Sequence, residues 1–197
     1  PISAADPAPK KLTGRPETVK MVEDLMNPIS LMDGDSLPVS AFMGNPDGQF
    51  EHGAAAYEKR GTAVTVPTWN AEKCIQCNQC AFVCSHATIR PFMLSEDEVK
   101  AAPSNIKVAD TKPKASEYKY TMSVSPLDCM GCGECITVCP VGAIEMVPQE
   151  SQADEQPVFD YLVANVSKKP GMPADNTVKG SQFNQPLLEF SGSCAGC

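Results

Sequence analysis

Residues Cys74 to Cys84 decide the fold, and they read Cys-Ile-Gln-Cys-Asn-Gln-Cys-Ala-Phe-Val-Cys. Residues Cys129 to Cys139 repeat the same cysteine spacing, Cys-x2-Cys-x2-Cys-x3-Cys, and Pro140 follows them. This is the spacing that ligates paired [4Fe-4S] clusters. A cubane presents four irons at tetrahedral corners, and a tight loop with a thiolate at every third residue reaches only three of them. The fourth ligand therefore comes from the other run.

We accordingly expect two clusters with crossed ligation. The ligands of the first are Cys74, Cys77, Cys80 and Cys139, and those of the second are Cys129, Cys132, Cys135 and Cys84. Two interlocked clusters indicate electron transfer.

Zinc sites and disulfides are the alternatives for a cysteine-rich chain. Zinc sites close a tetrahedron with four ligands from Cys-x2-4-Cys pairs, which leaves no role for a third cysteine at the same spacing. The chain has 10 Cys in 197 residues, a lower density than in disulfide-rich secreted scaffolds, which are mostly shorter than about 100 residues. Iron and sulfide explain the spacing better than either alternative.

Charge and hydropathy exclude several classes of partner. The formal net charge is -8, and nucleic-acid binding requires a basic surface. No apolar stretch approaches the roughly 20 residues that span a bilayer, and we expect no secretory leader. Because thiolate-ligated clusters survive in reducing surroundings, we expect a cytoplasmic protein of an anaerobic organism, without nucleic-acid or membrane partners.

Residues 61–150 contain an internal repeat. Strand-like runs at Ala63–Val66 and Tyr120–Val124 precede the two cysteine loops, and Ile89 and Ile144 each fall five residues past the fourth cysteine. The repeat predicts strand, cluster loop, short helix and strand in each half. The fold class is therefore α+β, a pseudosymmetric bacterial 2[4Fe-4S] ferredoxin-like domain. The apolar residues expected to line the cluster cavity are Ile75, Phe82, Val83, Ile89, Met130, Ile136, Val138, Val141 and Ile144.

Long irregular flanks are expected on both sides of this domain. Residues 1–60 are predicted to wrap against other domains and to contain one short helix, which begins at Pro16 and ends before Pro28. Residues 151–197 are predicted to form an extended connector, because the tail is rich in Gly, Pro and Asp.

An insert at residues 90–120 separates the two halves of the repeat. Ser95 and the acidic residues after it predict a short helix. Basic residues outnumber acidic ones beyond it, and they form either a solvated face or a docking patch for an acidic electron acceptor. They are Lys100, Lys107, Lys112, Lys114 and Lys119.

The last residues, Ser193 to Cys197, contain one more Cys-x2-Cys pair. Such a pair supplies two of the four ligands that a cluster needs. We expect Cys194 and Cys197 to form half of a third cluster site whose other ligands lie outside this chain, which would make the chain a piece of a larger protein. The alternative is an idle or redox-active thiol pair.

Segments inside and outside the two motifs together make the sequence recognisable. The segments are Leu37–Phe42, Tyr57–Gly61, Cys74–Cys84, Asp128–Gly133, Lys179–Phe183 and Glu189–Cys197. From about residue 15 to the end, the chain resembles the ferredoxin-like domain of pyruvate:ferredoxin oxidoreductase. Ser85 departs from the proline that usually follows the first motif in this family, which bears on loop rigidity and not on ligation.

The resemblance implies a role within an enzyme. The family cleaves pyruvate on thiamine diphosphate with Mg2+, transfers the acetyl group to coenzyme A, and passes electrons singly through three [4Fe-4S] clusters to external ferredoxin or flavodoxin. Cys194 and Cys197 match two ligands of the cluster proximal to thiamine. The partners implied are the remaining domains of the oxidoreductase, in a homodimer, and the acceptor protein.

Two other functions stay open on the sequence. One is a self-standing 2[4Fe-4S] ferredoxin-type carrier or subunit, and the other is a binding module in which the clusters are structural. Nothing in these 197 residues holds thiamine, Mg2+ or pyruvate.

The two cluster loops differ in composition. Gly131 and Gly133 stand in the second loop, where the first has Gln76 and Asn78. A residue without Cβ lets backbone N-H groups approach sulfide closely. We therefore expect the two clusters to differ in reduction potential.

Overall fold

The computed structural model describes residues 14–51, 54–57, 59, 61–112, 117–169 and 173–184. Its contacts divide the chain into two compact units, the first ending at residue 58 and the second beginning at Lys59. The domain boundaries given above, 1–60, 61–150 and 151–197, stay a prediction.

A helical run forms the body of the first unit. It consists of α1 (Pro16–Met21), a π-helical turn (Val22–Met26) and α2 (Asn27–Ser30). Its buried side chains Met21, Val22 and Leu25 form an apolar cluster with Ala54. Short 3-10 turns follow at Gly34–Ser36, Val39–Gly44 and Ala54–Tyr57.

The predicted end of this helix before Pro28 is wrong. A proline inside an α-helix lacks the N-H that would bond four residues back, and its ring clashes with the carbonyl there. Here the N-H of Asn27 reaches the carbonyl of Val22, five residues back. The wider π turn just ahead of Pro28 relieves the clash, so the helix continues to Ser30.

The second unit alternates short helices with strands. Its elements are β1 (Thr65–Trp69), α3 (Gln79–Val83), β2 (Ile89–Leu94), α4 (Glu96–Ala101), β3 (Ala109–Asp110), β4 (Lys119–Val124), α5 (Glu134–Thr137), β5 (Ile144–Pro148), a 3-10 turn (Gln149–Gln152), α6 (Glu155–Asn165), α7 (Val178–Ser181) and a 3-10 turn (Gln182–Asn184). Among the described residues, no helix has both the length and the apolar composition needed to cross a bilayer.

Strand pairing follows the internal repeat. β1 pairs antiparallel with β5, so that Thr65 faces Pro148 and Trp69 faces Ile144. β2 pairs antiparallel with β4, and β3 adds to the other side of β4. The first strand of each half thus pairs with the last strand of the other half. The α+β, pseudosymmetric ferredoxin-like fold is confirmed.

The first strand lies two residues later than its predicted position at Ala63–Val66. β1 begins at Thr65 and runs through Pro67, opposite Met146. Because β1 belongs to a two-stranded sheet, one of its sides carries no ladder, and a proline is tolerated on such a strand. Pro91 is likewise the third residue of its strand, and that strand, β2, lies at the edge of its sheet.

The core lies between the two sheets and includes cysteine side chains. Its buried members are Trp69, Cys80, Ile89, Tyr120, Met122, Val124, Cys135 and Ile144. Trp69 and Tyr120 meet edge to face, with ring centroids 5.9 Å apart. An apolar wall therefore stands directly against thiols of both cysteine motifs.

The tail expected to be irregular contains an eleven-residue helix, α6. Val158, Phe159 and Leu162 are buried on it, and Val158 and Leu162 pack with Leu94 of β2. Pro157 lies in its first turn, where the missing N-H would have had no helical partner. The composition of the tail did not indicate this helix, because the buried side chains of α6 pack against a strand more than sixty residues earlier.

The predicted helix after Ser95 is confirmed as α4. The Ser95 Oγ accepts a hydrogen bond from the Glu98 N-H at 3.3 Å, and the Glu98 carboxylate accepts one from the Ser95 N-H at 2.7 Å. This reciprocal pair is a capping box. Glu98 also contacts Lys169, and its backbone carbonyl accepts from the Tyr161 hydroxyl at 2.9 Å, which ties α4 to α6 and the chain after it.

We expect Ser95→Ala to lower the free energy of unfolding by about 1 kcal/mol, because the Glu98 N-H loses its acceptor. Anaerobic urea unfolding of the cluster-loaded protein measures the change. Ser104→Ala, in the exposed turn after α4, is the matched control. Equal losses in the two variants would contradict the role of the cap.

Candidate metal centre

The eight cysteines of the two motifs stand around two recesses. Four line the first recess, and they are Cys74, Cys77, Cys80 and Cys139. Four line the second recess, and they are Cys84, Cys129, Cys132 and Cys135. All eight are free thiols. Within the described ranges, no three His, Cys, Asp or Glu side chains lie close enough together to hold a single metal ion.

The strand pairing explains why each fourth cysteine joins the opposite motif. Cys84 leads from α3 into β2, which pairs with β4, and β4 runs into the second cysteine loop. Cys139 leads from α5 into β5, which pairs with β1, and β1 runs into the first loop. The backbone alone thus carries each fourth thiol across the pseudosymmetry axis.

Hydrogen-bond donors point at sulfur in both recesses. At the first, the N-H of Gln76 lies 3.3 Å from the Cys74 Sγ, and the N-H of Ala143 lies 3.2 Å from the Cys139 Sγ. At the second, the N-H of Gly131 lies 3.4 Å from the Cys129 Sγ. There the Cys84 Sγ also lies 3.4 Å from the Thr88 hydroxyl. Such contacts stabilise thiolate sulfur and adjust cluster potentials.

Burial disfavours free thiolates here. It raises the pKa of Cys80 and Cys129, and it raises the pKa of Cys135 to about 12. Desolvation penalises an isolated thiolate, but a thiol that binds a metal ion is deprotonated outright. Four thiols per recess, N-H groups aimed at sulfur and an apolar wall together fit a [4Fe-4S] group.

The two loops share one backbone shape despite their different sequences. Gln76 and Asn78 have φ values of 60° and 62°, and the equivalent Gly131 and Gly133 have 70° and 79°. The N-H to sulfur contacts at Gln76 and Gly131 differ by only 0.1 Å, from 3.3 to 3.4 Å. The close approach of an N-H group to cysteine sulfur is therefore not confined to the loop that contains glycine.

Side-chain amides hold the first loop in this left-handed conformation. Gln76 and Asn78 are each 1% exposed. Gln76 donates to the carbonyl of Asp110 and accepts from the N-H of Lys112, both at 2.7 Å. Asn78 donates to the carbonyl of Lys179 at 2.8 Å and accepts from the Tyr120 hydroxyl at 2.7 Å. Sequence reasoning missed this role, although amide residues in place of glycine were its visible signal.

Two lysines complete the enclosure of the first loop. The ammonium of Lys112 donates to the carbonyl of Cys74, and that of Lys179 donates to the carbonyl of Lys112, both at 2.8 Å.

The other described lysines of the insert contact carboxylates of this chain. The pairs are Lys100 with Asp97, Lys107 with Glu155, and Lys119 with Asp110. Lys114 lies outside the described residues. The choice between a solvated face and a docking patch stays a prediction, but each described lysine has a partner within the chain.

The predicted apolar lining is correct only in part. Ile75, Val141 and Ile144 line the first recess, and Ile89 and Met130 line the second. The remaining four, Phe82, Val83, Ile136 and Val138, are absent from both linings in the described residues. Phe82 is 57% exposed, because it lies two residues past Cys80 on α3 and so on the opposite helix face. Met122 of β4, which lines the first recess, and Met146 of β5, which lines the second, were missed.

The predicted half site at Cys194 and Cys197 lies outside the described residues. Its role as part of a third cluster therefore stays a prediction.

Comparison with known proteins agrees with this geometry. Residues 73–143 match the 4Fe-4S dicluster domain family, and residues 5–63 match EKR, a domain of unknown function. The chain is 48% identical to pyruvate-flavodoxin oxidoreductase of Enterobacter agglomerans over 96% of its length, and 47% identical to pyruvate:ferredoxin oxidoreductase of Moorella thermoacetica over 98%. It is 45% identical to pyruvate dehydrogenase [NADP(+)] of Cryptosporidium parvum over 90%.

The chain is homologous to a segment of the pyruvate:ferredoxin and pyruvate-flavodoxin oxidoreductases. It spans 16% of the length of the Enterobacter and Moorella relatives and 9% of the Cryptosporidium one. Within that segment, the dicluster family match and the eight cysteines define a ferredoxin-like electron-transfer domain with two [4Fe-4S] clusters. The enzymes themselves extend well beyond it.

We expect Gly131→Ala to impair the second recess more than Gly133→Ala does. Both positions have positive φ, so each alanine costs about 1 kcal/mol of backbone strain. At Gly131 the new Cβ would also lie 2.9 Å from the carbonyl oxygen of Thr65, whereas nothing lies within 4 Å at Gly133.

Iron content per chain and anaerobic urea unfolding compare the two variants. The matched backbone strain isolates the clash with β1, so a loss at Gly133 as large as that at Gly131 would show that the clash does not matter.

Proposed function

We propose that this chain relays single electrons as the ferredoxin-like domain of a thiamine-dependent enzyme that oxidises pyruvate or a related 2-oxoacid. The observation that carries the proposal is the crossed arrangement, in which Cys139 shares a recess with Cys74 and Cys84 shares one with Cys129. The names of the relatives support the choice of substrate.

The proposed ligands are the two sets predicted from the sequence. Cys74, Cys77, Cys80 and Cys139 would hold one cluster, and Cys129, Cys132, Cys135 and Cys84 the other. A bound [4Fe-4S] group supplies one-electron chemistry at low potential.

The protein side chains between the recesses exclude water. Cys80 of the first set and Cys135 of the second belong to one buried apolar cluster, together with Ile89 and Ile144. Met122 lines the first recess and Met146 the second. A shared dry wall lets each ligand set influence the other electrostatically, because charges are little screened there.

In the whole enzyme, this domain would join a thiamine diphosphate and Mg2+ centre to an external acceptor. We propose that Cys194 and Cys197 supply half of a proximal third cluster, whose other ligands come from a further domain. Coenzyme A would receive the acetyl group, and ferredoxin or flavodoxin would receive the electrons. The whole enzyme would be a cytoplasmic homodimer.

The crossed ligation predicts which variants should look alike. Cys139→Ala should remove the same cluster as Cys77→Ala, and Cys84→Ala the same one as Cys132→Ala, because each pair shares a recess. EPR of the reduced protein compares the signals that remain. If the residual spectrum of Cys139→Ala matched that of Cys132→Ala instead, each motif would hold its own cluster and the proposed wiring would be wrong.

The relay is tested on the full-length protein, supplied anaerobically with pyruvate, coenzyme A and thiamine diphosphate. The wild type should reduce ferredoxin or flavodoxin. Cys139→Ala should abolish that reduction but leave pyruvate-dependent exchange of carbon dioxide, which needs no external electron acceptor. Undiminished reduction of the acceptor would exclude an obligatory relay through this domain. No turnover of pyruvate in the wild type would favour a self-standing carrier.

A further inference from the structure

Two lysine ammonium groups lie at the loop of the first recess, and Lys112 is exposed whereas Lys179 is partly buried. The Lys112 ammonium sits 2.8 Å from the carbonyl of Cys74, a proposed ligand, and the Lys179 ammonium sits 2.8 Å from the carbonyl of Lys112. Lys179 is partly buried, so its field is screened less than that of a surface lysine. Burial lowers the pKa of Lys179, and negative charge on Cys74 and Cys77 acts in the opposite direction.

Negative charge is found instead at the second recess. Glu134 lies in the first turn of α5 and lines that recess beside Cys135. In the part of the chain that the structure describes, no cation forms an ion pair with it.

Two ion pairs lie beside the loops, whereas the carboxylate of Glu72, two residues before Cys74, is exposed and forms no ion pair among the described residues. Lys73, which precedes the first motif, contacts Glu145 at 3.5 Å. Asp128, which precedes the second motif, pairs with Lys59 and accepts a hydrogen bond from Ser125. Each pair largely cancels at a distance. The charged groups placed directly at the recesses are Lys112 and Lys179, which bond at the first loop, and Glu134, which lines the second recess.

Hydrogen bonding to sulfur does not offset this asymmetry. The backbone N-H contacts to cysteine sulfur have comparable lengths at the two recesses, between 3.2 and 3.4 Å. Cys132 is exposed, and water near it acts to raise the potential at the second recess. That influence comes from mobile dipoles, whereas the two ammonium groups are full charges fixed by hydrogen bonds.

We propose that Lys112 and Lys179 raise the reduction potential at the first recess above that at the second. Reduction adds one negative charge, which nearby cations stabilise and a carboxylate destabilises. The more reducing centre is then the one beside Cys129, and an electron shared by the pair settles beside Cys74. The inference rests on the ligand assignment above, which the EPR comparison of cysteine variants tests separately.

The test is a redox titration of the cluster-loaded full-length protein, followed by EPR. Lys179→Met and Lys112→Met should each lower one midpoint, with about a tenfold change in the reduction equilibrium, or about 59 mV for one electron. Glu134→Gln should raise a different midpoint. The midpoint that responds to the lysines must lie above the one that responds to Glu134 in the wild type.

Two control variants separate charge from structure. Lys179→Arg keeps the charge and should restore the wild-type midpoint. Lys100→Met removes an exposed lysine from α4, and it should move neither midpoint. If the lysine variants moved the lower midpoint, or moved none while retaining iron, the proposed order would be overturned. If Lys179→Met failed to fold, Glu134→Gln would still decide, since an effect on the upper midpoint would contradict the proposal.

Discussion

The architecture depends on one constraint, namely that each strand entering a cysteine loop pairs with the strand leaving the opposite loop. β1 with β5 and β2 with β4 form these pairs. A pairing of neighbouring strands within each half would leave every motif one thiol short of a tetrahedral set. Antiparallel pairing across the halves brings Cys84 and Cys139 to their recesses without any long-range side-chain interaction, and the apolar core then fills the space between the sheets.

Much of the architecture could be derived from the sequence, because cluster ligation requires a particular cysteine spacing and the shared fourth cysteines require the two halves to pair. The fold class and the α4 cap were read correctly from local patterns, and the recesses have the expected thiols. Errors arose where non-local structure overrides a local rule. A π turn carries the first helix through Pro28, an edge strand tolerates Pro67, and α6 gains its burial from Leu94 far away in the sequence.

The two cysteine loops show that one backbone shape can be reached by different means. In the second loop, Gly131 and Gly133 adopt positive φ without a Cβ to strain. In the first, Gln76 and Asn78 adopt the same conformation, and their buried amides make four hydrogen bonds to the insert, to β4 and to the segment at Lys179. The sequence difference therefore marks a difference in surroundings and not in loop geometry. The insert and the tail are part of the site, since they bring Lys112 and Lys179 to it.

The hydrogen bond of the Asn78 amide also bears on the order in which the two loops are completed during synthesis. Its acceptor, the carbonyl of Lys179, lies 101 residues further along the chain. Since polypeptides are made from the N-terminus, the first loop emerges long before the segment that closes over it. The second loop, by contrast, packs at Gly131 against Ala63 and Thr65, which are synthesised before it. Iron and sulfide can therefore be inserted first beside Cys129, and the earlier motif of the nascent chain would stay open until Lys179 has been made.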